Sequence, residues 1–119
     1  MRERPFPRLR RGEKYSGGMA QRVAEEIVRP RRLGPKVLLR VDLHGVSRFG
    51  PRSGHHTLIR WEWIEDIAVG DGVNVRSAGD TVNFPPGAFG LEPAELAERL
   101  RAARGIEQRT DVIASLNAR

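Results

Sequence analysis

The chain has 119 residues, 30% of them charged and 39% hydrophobic, and no cysteine. One small domain is the natural content of that length, and disulfide frameworks and thiolate metal sites are excluded. No apolar run approaches the roughly 20 residues of a membrane-spanning helix. Pro5, Pro7, Arg10 and Arg11 stand where a secretory signal carries its apolar stretch, so a cytoplasmic protein is expected.

The formal net charge of +6 is unevenly spread. Residues 1–40 hold twelve Lys/Arg against Glu3, Glu13, Glu25 and Glu26, a net of +8. Residues 41–119 hold nine Arg against eleven Asp/Glu, a net of −2. The basicity belongs to an N-terminal arm and its junction, the asymmetry an anionic partner recognises. Only Lys14 and Lys36 are lysine, and so arginine-rich a composition also fits a coding bias; charge alone is a weak motif.

Residues 1–18, with two prolines and three glycines, read as a disordered basic tail. Met19 follows Gly17-Gly18 and offers an alternative translation start. Met19, Val23 and Ile27, with Ala20, Ala24 and Val28, recur at four-residue spacing and predict an amphipathic helix over 19–30, stopped by Pro30. A short strand over 25–29 is the competing reading, because Ile-Val is β-prone.

The period then becomes two. Val37, Leu39, Val41 and Leu43 alternate with Leu38, Arg40 and Asp42 as a half-buried strand. His44-Gly45 offers a two-residue hairpin turn with Gly at positive φ, and residues 46–49 return. Further strands are expected at Thr57, Ile59 and Trp61, at Ile67 and Val69, at Val73 and Val75, and at Val82 and Phe84. Gly70-Asp71-Gly72 and Ala78-Gly79-Asp80 are the turns, and Pro85-Pro86 ends the last strand. Six short strands in an antiparallel meander result.

Pro93 then suits the first turn of a helix with Leu96, Leu100 and Ala103 as its apolar stripe, Glu95 and Arg99 as a solvent-side pair, and Arg101, Arg104 and Gly105 at its end. Residues 110–116 begin another short helix, capped by Thr110.

Ile59, Trp61, Ile64 and Ile67 form a pattern that resembles the I-x-W-x-x-I-x-x-V signature of bacterial PH-like (pleckstrin-homology-like) domains. The strand–Gly–strand element over 38–49, the hairpin over 73–84, Phe-Pro-Pro and the helix over 93–104 extend the resemblance to residues 36–104. It implies a mainly β, α+β fold, a bent and partly open antiparallel barrel capped by the C-terminal helix. Here that helix would be joined by an additional N-terminal one. The domain would span 36–105, with 106–119 as a C-terminal extension. The resemblance also implies a scaffold for lipid head groups, peptides or proteins, in some members a homo-oligomer, and no catalysis. The spacing of 61, 64 and 67 does not fit a strand, so a bulge or tight turn must re-aim Ile64 and Ile67 inward. A seven-strand barrel leaves one strand to find.

Other chemistry finds little support. His44, His55 and His56 are ordinary loop histidines rather than metal ligands, and Gly70-Asp71-Gly72 lacks the Lys-Ser/Thr end of a phosphate loop. Glu62, Glu65 and Asp66 read as the wet face of a strand edge rather than an acid–base pair. Of Trp61 and Trp63, which could stack bases if both were exposed, Trp61 belongs to the core.

A non-catalytic PH-like binding module follows, without cofactor or small-molecule substrate, engaging a protein partner, a second copy or an anionic lipid surface, at the inner face of the membrane in the last case. Arg8, Arg10 and Arg11 with Arg29, Arg31 and Arg32 are the candidate anion-binding residues, as charges and phosphate-fork donors. Nucleic-acid binding by the same arm ranks below it, because the body is net acidic and no helix-turn-helix or RNA-recognition motif is present. Self-association into a structural oligomer would use outward-facing Leu38 and Leu58.

Overall fold

A computed structural model describes residues 20–29, 34–50 and 56–118. Seven strands come first: β1 (Val23–Val28), β2 (Val37–Asp42), β3 (Gly45–Phe49), β4 (His56–Arg60), β5 (Asp66–Val69), β6 (Val73–Arg76) and β7 (Thr81–Phe84). Two helices follow, α1 (Pro93–Ala103) and α2 (Ile106–Asn117). The strands form two antiparallel meanders, β1-β2-β3-β4 and β5-β6-β7. The fold is therefore α+β.

Three expectations are corrected. The first strand replaces the N-terminal helix expected over 19–30. Ala24 and Val28 lie four apart, which suits either period. In the structure Ala24, Glu26 and Val28 face inward, while Ile27 on the other face is 65% exposed. Pairing decides the outcome, for residues 23–28 match β2 residue for residue, from Val23 opposite Asp42 to Val28 opposite Val37. Second, the strands do not close into one hydrogen-bonded barrel; the four- and three-stranded sheets meet where β4 lies against β7. Third, the C-terminal helix starts at Ile106 with Gly105 as its cap, placing Thr110 inside it. This helix is no loose extension, since Val112, Ile113 and Leu116 are at most 1% exposed. The packed unit thus extends beyond 36–105 on both sides, with Ala24 and Leu116 in one core cluster.

The inner face of the larger sheet contributes Ala24, Leu39, Val41, Val46 and Ile59; the smaller contributes Ile67, Val73, Val75, Val82 and Phe84. Leu96, Ala97, Leu100 and Ala103 of α1 pack on β5 and β6, and α2 fills the space between α1 and β1. The unpaired edge of β5 receives Arg101, which donates to the Ile67 carbonyl at 2.8 Å, and Arg104, which donates to the Ile64 carbonyl at 2.9 Å. On the other side Asn117 donates to the Ala20 and Val23 carbonyls. Strand edges that would otherwise expose their acceptors are covered this way.

The junction between the sheets is a single 3-10 turn, Trp61–Trp63. It is the tight turn that the spacing of 61, 64 and 67 requires: Trp61, Ile64 and Ile67 are all buried, whereas Trp63 is 57% exposed. The Trp61 indole donates to the Asp42 carbonyl at 2.8 Å, and Arg109 of α2 stacks over its ring at 5.1 Å. Burial lowers the pKa of the Arg109 guanidinium and the Glu62 carboxylate opposes the shift; the group stays charged.

The β2–β3 turn also differs from expectation. Asp42 accepts the His44 and Gly45 N–H groups on its carboxylate, at 2.8 and 3.1 Å, an Asx turn. Gly45 has no positive φ; it is required because a Cβ there would stand 2.0 Å from the Ile59 carbonyl oxygen.

Candidate anion-binding end of the four-stranded sheet

The register of the larger sheet gathers basic sequence at one end. Ile27, Leu38, Phe49 and His56 form one cross-strand row, and Val28 is opposite Val37. The segments joining β1 to β2 and β3 to β4 therefore leave from the same end. Residues 29–36 carry Arg29, Arg31, Arg32 and Lys36, residues 48–56 carry Arg48, Arg52, His55 and His56, and neither stretch contains Asp or Glu.

The described cations of this end are Arg29 and Lys36, both exposed, and half-buried Arg48 on the inner face of β3. Among the described residues none of the three has a carboxylate partner. Several of the body's other arginines contrast with them, while Arg104 and Arg109 are held by backbone carbonyls. Arg40 pairs with Glu25 at 2.6 Å, Arg76 with Asp66 at 3.7 Å and Arg99 with Glu95 at 3.0 Å. Unneutralised cations on adjacent strand ends sum their fields, and guanidinium forks suit phosphate and carboxylate oxygens. Beside them His56 stacks on Phe49, ring centroids 4.1 Å apart and nearly parallel, and Arg40 covers that ring at 4.7 Å.

Of the six residues proposed from sequence, Arg29 lies at this end; Arg8, Arg10, Arg11, Arg31 and Arg32 fall outside the described residues. Sequence reasoning missed Lys36 and Arg48, because only the register of a meander brings the end of β1 and the start of β2 beside the end of β3. Leu38 and Leu58 are half-buried rather than exposed, and Ile27 is the large apolar residue open to solvent on that outer face.

The opposite end carries both signs of charge, Asp42, Glu62 and Glu65 together with Arg60 and Arg109. A shallow cleft of about 370 Å³ lies between the Trp61–Trp63 turn and the β6–β7 connection, lined by Glu62, Trp63, Ile64, Glu65, Ser77 and Ala78. Glu62, Glu65 and Asp66 are all exposed. His44 is exposed in the β2–β3 turn, and His55 lies outside the described residues. Among the described residues no three His, Asp or Glu side chains gather where they would hold a metal ion. No described helix is long and apolar enough to cross a membrane. Comparison of the chain with protein-family models, curated proteins and solved structures found no match.

Proposed function

We propose that the protein is a non-catalytic PH-like binding module whose basic end engages an anionic membrane surface, with the arginine-rich arm as an additional tether. The observation that carries this reading is that Arg29, Lys36 and Arg48 lie on adjoining strand ends with no carboxylate partner among the described residues, and that residues 29–36 and 48–56 contain no Asp or Glu. Seven antiparallel strands followed by a helix support the PH-like part, as do the burial of Ile59, Trp61, Ile64 and Ile67 and the 3-10 turn that sets their spacing. Each Lys or Arg near an acidic bilayer contributes up to about 1 kcal/mol, less with distance and salt. The arm alone is thus an affinity device, and selectivity would reside in the folded end.

Co-sedimentation with vesicles containing anionic lipid at physiological salt tests the reading. The full chain is expected to pellet, and Arg29→Gln/Arg31→Gln/Arg32→Gln to lose at least about tenfold in partitioning, the sum of three such contributions after screening. An equal pellet on zwitterionic vesicles removes recognition by charge, and none on anionic ones removes membrane binding and leaves a protein partner. That second reading rests on the outer face of the larger sheet, where exposed Ile27 adjoins half-buried Leu38, Phe49 and Leu58. With duplex DNA, a log–log salt slope shallower than roughly −0.9 per expected phosphate contact argues against nucleic acid.

A further inference from the structure

Among the described residues of the basic end, His56 alone carries a side chain that changes charge near neutrality. It opens β4 in the same cross-strand row as Ile27, Leu38 and Phe49, and it is exposed. Its ring lies on that of Phe49, centroids 4.1 Å apart and 8° from parallel, so the imidazole is held against the sheet. The other strands of the larger sheet bring cations to it. β3 contributes Arg48, β2 contributes Arg40, 4.7 Å from the Phe49 centroid, with Lys36 just before its first residue, and Arg29 follows the last residue of β1. Glu25, in the adjoining outer-face row, accepts from Arg40 at 2.6 Å. β7, which packs against β4, has no titratable side chain. Four strands span three steps of about 4.8 Å, so Arg29, Lys36, Arg48 and His56 share one footprint on a flat surface.

We propose that protonation of His56 strengthens the engagement of this end with an anionic membrane surface, so that binding responds to pH between about 5 and 8. This coupling rests on the membrane reading above and adds its regulation. The imidazolium is one more cation beside three fixed ones, on strand ends without a carboxylate partner. Linkage makes the effect reciprocal: a surface that favours the charged ring takes up a proton as the protein binds. The sign follows. Partitioning is strongest where His56 is protonated and declines as pH rises through the histidine range. With a Debye length of about 8 Å at physiological salt, each cation acts on the surface largely by itself, and one added charge changes partitioning about threefold. His44 cannot substitute for His56, because it lies in the β2–β3 turn at the other end of the sheet, its backbone N–H on the Asp42 carboxylate.

The test is co-sedimentation of the full chain with vesicles of phosphatidylcholine and phosphatidylglycerol, whose phosphodiester stays ionised throughout, at about pH 5.5 and about pH 8, towards opposite ends of the histidine range. Wild type is expected to partition about threefold more strongly at the lower pH. His56→Gln should lose most of that difference and match wild type at the higher pH, whereas His44→Gln should keep it. His56→Arg retains a cation able to stack on Phe49, and it should bind at both pH values as wild type does at the lower one. That variant separates lost charge from lost packing. Equal partitioning of wild type at the two pH values, or a difference undiminished by His56→Gln, overturns the proton coupling and leaves the membrane reading standing. A chain that pellets at neither pH overturns both.

Discussion

Two residues carry more of the fold than their types suggest. Gly45 leaves room for the β4 backbone rather than supplying a turn conformation, and the Ile59 carbonyl oxygen occupies the space a Cβ would need. Gly45→Ala is expected to lower stability by about 2–3 kcal/mol, read as a lower denaturant midpoint at unchanged m. Phe89 is the second. It is 1% exposed, tilts against Phe84 at 6.2 Å and holds φ 57°, a left-handed backbone that costs a bulky residue roughly 1–2 kcal/mol. Its N–H donates to the Glu26 carboxylate at 2.5 Å, which fixes the 3-10 turn Ala88–Gly90 to β1. Glu26→Gln keeps an acceptor but removes the charge, so a loss of about 1 kcal/mol is expected in the same unfolding measurement. Neither role is written in the sequence locally. Each depends on a chain segment at least fourteen residues away, and the glycine and the glutamate look like ordinary turn and surface residues.

Elements with a single period were legible, and those whose period was ambiguous or whose partner was remote were not. The alternation of Val37, Leu39 and Val41 gives β2, and the stripe of Leu96, Leu100 and Ala103 gives α1 within a residue of its ends. The first strand was misread because Ala24 and Val28 satisfy two periods at once; only β2, nine residues further along, chooses between them. The last helix was underestimated because Val112, Ile113, Ala114, Ser115 and Leu116 form a run buried nearly all round rather than a stripe. That burial makes α2 indispensable. A chain ending at Arg104 is expected to lose cooperative unfolding and near-ultraviolet dichroism from Trp61, whose ring Arg109 covers. A truncated chain that unfolds with a native-like midpoint would show instead that β1 and α1 can close the core unaided.

At the scale of the molecule, the meander converts a sequence-level charge asymmetry into a polar one. Antiparallel strands send alternate connections to opposite ends. Arg29, Lys36, Arg48 and His56 therefore collect at one end, and Asp42, Glu62 and Glu65 lie with Arg60 and Arg109 at the other. Sequence alone located the basic arm and Arg29 but not this partition, because charge counted along a chain carries no information on which loops become neighbours. The strand ends free of carboxylates are what make a directional encounter with an anionic surface physically reasonable. The most direct test is an amide chemical-shift map of the full chain titrated with micelles of an anionic phospholipid at 150 mM salt. The expected result is perturbation of the arm and, within β1 to β7, of the strand ends around Val28, Arg29, Lys36, Val37, Phe49 and His56 alone. Glu65 and Ser77 should stay in place. Shifts centred instead on Ile27, Leu38 and Leu58, or on the Trp63 cleft, would contradict the assignment of the basic end as the binding surface.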